Sequence, residues 1–294
     1  MFCIQIAEVL VVIENRYAFT EWLCADYIVD VLPDECTFSV SATPEEIAAE
    51  NSDEGTFSPA YCESLVLYRK ICTRMLDYDA FLFHAAIVSY AGRGFAFAAK
   101  SGTGKSTHVA QWMRALGGDV TVVNGDKPIL RWRTGEVAEP PDGTPSGEGA
   151  CACTSSAVPP SEEGVETTCN QPVGEFVAYG TPYCGKENWG QNTSVPLRAV
   201  CFIERCEPGE PDRLSRLEDD RGVVARIMNQ ILMPHDPALA VRQLDLLDRL
   251  VNSAPFYVLR CTPTPAAFDA AFQMTLCDNR RERMHRCEGS GHED

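Results

Sequence analysis

The sequence predicts an α/β fold with α+β elements, in which helices flank a mixed central sheet. Three observations carry that expectation. Segments of strand composition alternate with amphipathic helical segments along most of the 294 residues. Two of the strands, 95–99 and 120–123, are apolar throughout, the pattern of strands covered on both faces. Between them the chain passes through a glycine-rich turn and one helix.

The elements follow in order. Residues 2–13 alternate and are rich in Val and Ile, which predicts a strand. A short helix over 16–24, a strand over 37–41 and a helix N-capped by Thr43 come next, with Glu45 and Glu46 suited to the positive helix end. Ser58-Pro59 opens a long helix to Leu76, with Leu65, Leu67, Tyr68, Ile71 and Met75 as its apolar stripe. A strand over 80–90 carries His84, and a turn at 92–94 leads to the buried strand 95–99. A helix over 106–116 ends at Gly117-Gly118. Strands are expected at 120–123, 129–133, 174–179, 197–204 and 256–261, and helices at 217–233, 237–253 and 265–276. Leu239, Val241, Leu244, Leu247 and Leu250 form the expected stripe of the helix over 237–253.

This pattern divides the chain into an N-terminal α/β segment (1–78) packed on a core (79–135), then an insertion (136–172). The rest of the same domain (173–278) and a charged tail (279–294) follow. In the insertion Pro, Gly, Ser, Thr and Glu dominate, a composition that predicts a flexible loop.

A net charge of −17 argues against a nucleic-acid partner. The basic group Arg280, Arg281, Arg283 and Arg286 reads better as a solvated helix end. No run reaches the roughly 18 to 20 apolar residues of a membrane span, so no membrane partner is expected. Fourteen scattered cysteines without a CxxC pair suggest reduced thiols and a cytoplasmic protein. Cys151 with Cys153, and His285 with Cys287 and His292, lack the partners a metal site needs.

The chemistry concentrates in Ala99-Lys100-Ser101-Gly102-Thr103-Gly104-Lys105-Ser106-Thr107. A buried strand delivers the chain to a turn, where Gly102 and Gly104 allow backbone angles that aim amide N–H groups at phosphate oxygens. The following helix points its positive end at the same anion. Lys105 would reach the β- and γ-phosphates, and Ser106 would offer its hydroxyl to magnesium. The bland alternative is a glycine-rich turn without a ligand. The general pattern opens with Gly, and Ala99 stands there instead. Asp126 ends the next apolar strand, where an acid can reach the same magnesium; its alternative is an Asn-Gly-Asp turn. These residues point to ATP with magnesium, although no base-reading motif excludes GTP. By itself, His84 on an apolar strand reads as a hydrogen-bonded core residue.

Phe83-His84-Ala85-Ala86, the glycine loop, and Val123-Asn124-Gly125-Asp126-Lys127-Pro128 together resemble the catalytic domain of HPr kinase/phosphorylase, itself related to the phosphoenolpyruvate carboxykinases. Thr181-Pro182-Tyr183-Cys184-Gly185-Lys186-Glu187 and Ser194-Val195-Pro196-Leu197 look like a segment of bacterial HPr-kinase-like proteins. The resemblance implies that fold, and phosphoryl transfer from ATP to a hydroxyl of a small molecule or of a peptide serine. It also implies Lys105 on phosphates, Ser106 and Asp126 on magnesium, and His84 near the transferred group. Asp126, Glu187 and His84 are then candidates to accept the hydroxyl proton, and Lys186 could neutralise the transferred group. A solvated turn is the alternative for Lys186 and Glu187. Lys100 stands where the family carries an Asp that serves as base, so HPr itself is not the expected acceptor. The same departure keeps open a second reading, a nucleotide-binding regulatory or accessory protein without transfer chemistry. A carboxykinase-like enzyme ranks last, and a homo-oligomer stays open.

Overall fold

The computed structural model describes residues 1–51, 57–100, 102–134, 174–207 and 209–275. The expected insertion (136–172), the charged tail (279–294) and Ser101 of the glycine loop lie outside the described residues. So do the arginine group, Cys151, Cys153, His285, Cys287 and His292.

The first expected strand is two. β1 (Phe2–Ile6) and β2 (Val9–Glu14) pair antiparallel around a turn in which Ala7 (φ 46°) and Glu8 (φ 62°) are both left-handed. Hairpin turns of this kind favour Asn and Gly, so Ala-Glu carries no turn signal. The strain, about 1 to 2 kcal/mol per residue, is offset by what Glu8 reaches. Its carboxylate accepts from the Tyr179 hydroxyl at 2.8 Å and pairs with Arg131 and Arg133. β3 (Phe38–Ser41) joins β2 in parallel and completes a three-stranded sheet.

Three helices cover this sheet. α1 (Ala18–Leu23) follows Arg16 and Tyr17, whose N–H groups donate to the fully buried carboxylate of Glu63 at 2.6 and 3.1 Å. α2 (Pro44–Glu50) starts with the expected Thr43 cap, closed reciprocally by Glu46. α3 (Pro59–Met75) buries Leu67, Tyr68, Ile71 and Met75 as expected, while Leu65 is only half-buried. Tyr68 of α3 stacks on Tyr183 with ring centroids 3.9 Å apart, and its hydroxyl donates to the Lys127 carbonyl at 2.6 Å. The Tyr183 hydroxyl donates to the Ser64 carbonyl at 2.6 Å. The N-terminal sheet and helices are thereby fastened to the two segments that bear the site.

The main sheet is mixed, curled and nine-stranded. It contains β4 (Ala80–Leu82), β5 (Ala86–Tyr90), β6 (Arg93–Ala98), β7 (Val120–Asn124), β8 (Ile129–Thr134), β9 (Gly174–Tyr179), β10 (Ser194–Arg205), β11 (Arg213–Leu217) and β12 (Phe256–Cys261). The order is β4-β8-β9-β10-β6-β5-β7, with β12 pairing both β10 and β11. β10 is parallel to β6 and β12 and antiparallel to β9, so it joins the two halves.

Side chains alternate faithfully across the sheet. Phe95, Phe97, Ala199 and Cys201 face α4 (Lys105–Leu116) and a helix over 266–275, and the wholly buried Trp112 packs among Phe95, Phe97 and Phe268. Ala96, Ala98, Val200 and Phe202 face α5 (Asp220–Ile227) and α6 (Pro237–Ser253). Truncating an aromatic as enclosed as Trp112 costs about 3 to 5 kcal/mol.

Four further expectations need correction. The strand over 80–90 is broken at 83–85, because His84 donates its N–H to the Gln230 carbonyl and Ala85 to that of Phe83, outside any ladder. The turn after β5 is Ala91-Gly92, and Gly94 lies inside β6, where a Cβ would meet Val195 at 2.8 Å. The start of the expected helix over 217–233 is strand: Leu217 ends β11, and α5 begins only after the Asp219 cap. On α6 the inward residues are Gln243, Leu246, Leu247 and Leu250, whereas Val241 and Leu244 are exposed. Gln243 takes the position that the i, i+4, i+7 pattern from Leu239 requires, and its polarity hid the true stripe.

Among the described residues, no helix is long and apolar enough to cross a membrane, every cysteine is a free thiol, and no group of His, Cys, Asp or Glu is arranged to hold a metal by itself.

Candidate functional site

β6 ends at Ala98, and the chain leaves the sheet through the buried Ala99 and the exposed Lys100. Gly102 (φ +76°) and Gly104 (φ +120°) follow, in conformations that L side chains rarely adopt. No atom lies within 4 Å of where a Cβ would stand at either glycine, so the outer side of the loop is open. Thr103 donates its N–H to the Lys100 carbonyl at 3.1 Å. α4 starts at Lys105 with Gly104 as its N-cap, so no side chain satisfies its first N–H groups. Its first turn carries no acid either, which leaves the positive helix end uncompensated. Ser106 and Thr107 follow in that turn, half-buried and exposed. From the far end of β10, Arg205 donates to the carbonyls of Gly102 and Thr103 and holds the loop from behind.

Asp126 arrives from the other side, just past β7. The side chain of the fully buried Asn124 sets its direction. Asn124 Oδ1 accepts from the N–H groups of Asp126 (2.9 Å) and Lys127 (2.8 Å), while Nδ2 donates to Thr181. This is the Asn-Gly-Asp turn that was the alternative reading of Asp126, but the capping group is Asn124 and the Asp126 carboxylate is left for the site. Gly125 permits the arrangement, since a Cβ there would lie 2.7 Å from the Cys184 carbonyl oxygen.

Three elements meet at this carboxylate. Asp126 Oδ1 accepts from Lys105 Nζ at 2.9 Å and lies 3.1 Å from His84 Nε2. Lys127 Nζ stands 3.8 Å from Oδ2. Burial pushes the Asp126 carboxyl up, but the hydrogen bond from His84 and the Lys105 ammonium outweigh it and hold the group well below the usual carboxylate range. The carboxylate is therefore ionised and can only accept. His84 Nε2 must then carry its hydrogen, and on a neutral ring Nδ1 keeps its lone pair. The break in the strand presents His84 this way: a residue held in the β5 ladder could not give its N–H to Gln230.

The turn 185–188 lies against Asp126. An ideal Cβ on Gly185 would be 3.1 Å from the Asp126 Cβ and 3.8 Å from Glu187 Oε2. Glu187 is thus beside the site and partly buried, whereas Lys186 projects into solvent with 90% of its side chain exposed and only a 3.9 Å approach to Glu187. The structure brings His84 and Lys105 into direct contact with Asp126, sets Glu187 nearby, and leaves Lys186 out. Lys127, Asn124 and Arg205 were missed as site residues. Asn124 and Lys127 adjoin Asp126 and were legible as neighbours. Arg205 carried no signal, being 102 residues from Thr103 in the chain.

No family model matches the chain, and no curated protein matches it. Among solved structures, the HPr(Ser) kinase/phosphatase from Coxiella burnetii matches with a TM-score of 0.30 and 10% sequence identity, over 72% of this chain and 96% of that one. At that score the likeness carries nothing about the site.

Proposed function

We propose that the protein is an ATP-dependent phosphotransferase that phosphorylates a hydroxyl of a small molecule or of a peptide serine. The observation that carries this reading is the convergence of Lys105 Nζ and His84 Nε2 on one oxygen of Asp126, beside an open, uncapped helix start. The residues fit a triphosphate: two left-handed glycines lead into a helix start whose first N–H groups no side chain caps, and Lys105 is the first residue of that helix.

Each residue has a role in that reading. Lys105 exchanges its bond to Asp126 for phosphate oxygens. The backbone of Gly102–Lys105 cradles them. Asp126 Oδ2 and the Ser106 hydroxyl are the groups that would hold magnesium, which supplies neutralisation of phosphate charge. His84 Nδ1 takes the acceptor proton, with the ring fixed through Nε2 by Asp126. The acceptor oxygen forms a bond to the γ-phosphorus, the bond from that phosphorus to its bridging oxygen breaks, and ADP leaves. Glu187 is a second proton acceptor; Lys186 would act only after its turn folds inward.

The exposed Lys100 favours one other reading, an accessory protein that binds nucleotide without transferring it. Incubation with γ-labelled ATP, magnesium and a panel of serine peptides and small alcohols separates the two. Label on an acceptor, lost in Lys105→Ala and Asp126→Ala, is the expected result. ATP binding without transfer to any acceptor would establish the accessory role. Unchanged ATP affinity in Lys105→Ala would sink both.

A further inference from the structure

Besides meeting at Asp126, His84 and Lys127 both line a cavity of about 270 Å³ between α3 and the main sheet. Leu65, Tyr68 and Arg69 of α3 form one wall, Leu82 at the end of β4 another, and residues 229–232, beyond α5, a third. The third wall is bonded to the His84 segment itself. The His84 N–H donates to the Gln230 carbonyl at 2.6 Å, and Phe83 bridges to Ile231. The break between β4 and β5 thus releases His84 from the ladder and ties a wall of the cavity to it. The volume lies just below the usual range of small-molecule sites, about 300 to 1,000 Å³, so the cavity suits a compact molecule.

Leu65, Leu82, Ile231 and Leu232 make much of the lining apolar, and each is only partly buried. Most of the polar side chains are engaged or turned away. The Tyr68 hydroxyl donates to the Lys127 carbonyl at 2.6 Å, Asn229 Nδ2 donates to the Ala225 carbonyl at 2.8 Å, and the Gln230 side chain is buried. Arg69 and Lys127 bring positive charge, and no acid lines the cavity, in a chain whose net charge is −17. Arg69 is neutralised, because its guanidinium donates twice to Glu50, at 2.7 and 2.8 Å. Lys127 is not. Its ammonium makes no hydrogen bond among the described residues, and it approaches Asp126 Oδ2 only at 3.8 Å, while that carboxylate already accepts from Lys105 at 2.9 Å. An uncompensated cation beside an apolar lining favours a ligand with one negative charge.

We infer that this cavity is the acceptor site and that the acceptor is a small hydroxy acid, with an apolar body against Leu65, Leu82 and Leu232, a carboxylate at Lys127 and its hydroxyl at His84. This rests on the phosphotransferase reading above and names the acceptor class which that reading left open. A carboxylate matches a single uncompensated cation, whereas a phosphate ester carries about −1.5 to −2 charges and would ask for more. The hydroxyl proton passes to His84 Nδ1, and the hydroxyl oxygen forms a bond to the γ-phosphorus. The bond from that phosphorus to its bridging oxygen breaks, and ADP leaves with the electron pair.

The test measures label transfer from γ-labelled ATP, with magnesium, by the full chain. The acceptors are short-chain hydroxy acids such as 3-hydroxybutyrate and 3-hydroxy-3-methylbutyrate, their uncharged amides, and serine peptides. Wild type should use the acids with a kcat/KM about tenfold above that of the amides, as one charge-assisted hydrogen bond supplies, and above that of the peptides. Lys127→Met should erase the preference for acid over amide. Leu65→Trp, which fills the cavity from α3, should lower kcat/KM for the acids by about tenfold and leave ATP affinity unchanged. Preferred labelling of peptides, equal use of acid and amide by wild type, or an equal loss with both in Lys127→Met would overturn the hydroxy-acid assignment and leave phosphotransfer standing. Unchanged use of the acids by Leu65→Trp would take the acceptor out of this cavity. If ATP binds and no acceptor is labelled, the phosphotransferase reading falls and the acceptor site with it. The wild-type comparison decides even if a variant does not fold.

Discussion

Replacing Asp126 by Asn keeps the size of the side chain and removes its charge. In the wild type, the carboxylate accepts from Lys105 at 2.9 Å and from His84 at 3.1 Å. Hydrogen bonds to charged groups contribute about 1.5 to 3 kcal/mol each, and neutral ones about 0.5 to 1.5. Two bonds weakened by about 1 kcal/mol or more each sum to about 2 to 3 kcal/mol. The side chains of Asp126, Lys105 and His84 are 23, 12 and 34% exposed, so solvent screens part of this and about 2 kcal/mol is expected. The variant also leaves Lys105 and Lys127 facing each other without an anion between them.

Urea unfolding measures the difference, and pH supplies a second check. A carboxyl held below its ordinary value binds protons more weakly folded than unfolded. Its stabilisation is therefore complete above the ordinary Asp value, about 4, and is lost as pH falls toward the lower folded value. The gap between wild type and Asp126→Asn should be full at pH 7 and shrink progressively below about pH 4. A variant within about 0.5 kcal/mol of wild type at pH 7, or a gap that widens on acidification, would refute the assignment of these partners.

Other perturbations probe the surroundings of the site. Arg205→Ala frees the carbonyls of Gly102 and Thr103 and should weaken tripolyphosphate binding about fivefold, which corresponds to about 1 kcal/mol for exposed bonds; unchanged affinity in a titration would show that the loop needs no brace. Gly125→Ala drives a Cβ into the Cys184 carbonyl and should destabilise by about 1 to 3 kcal/mol, as overpacking does, lowering the thermal unfolding midpoint; an unshifted midpoint would contradict the close approach of the two segments. Deleting residues 139–168 should leave folding and ATP binding intact, because Thr134 and Gly174 are paired across β8 and β9 and a short turn can join them; loss of the folded state in circular dichroism would contradict this.

Several elements were plain in the sequence because local chemistry specifies them. Thr43 with Glu46 marked α2, Ser58-Pro59 marked α3, and the apolar run before the two glycines marked β6 and its loop. Other elements were misread because the cause is not local. Ala7-Glu8 turns without a turn residue, since Arg131, Arg133 and Tyr179 hold Glu8 from elsewhere in the chain. Leu217, the last residue of β11, reads as the start of a helix until β12 pairs with it. His84 looks like a strand residue until Gln230 takes its N–H.

The site divides in the same way. Gly102, Gly104, Lys105 and Asp126 could be singled out from the sequence alone, because left-handed backbone, helix starts and strand-end acids have recognisable residue requirements. Only the tertiary structure joined Lys105 to Asp126 and His84, placed Arg205 behind the loop, and turned Lys186 away. It also tied Gln111 of α4 to the Thr264 carbonyl, 153 residues away in the chain. The reason is physical: a spacing in the sequence sets which backbone angles and local caps are available, whereas the orientation of a side chain depends on which distant donors and acceptors the packed sheet brings within about 3 Å.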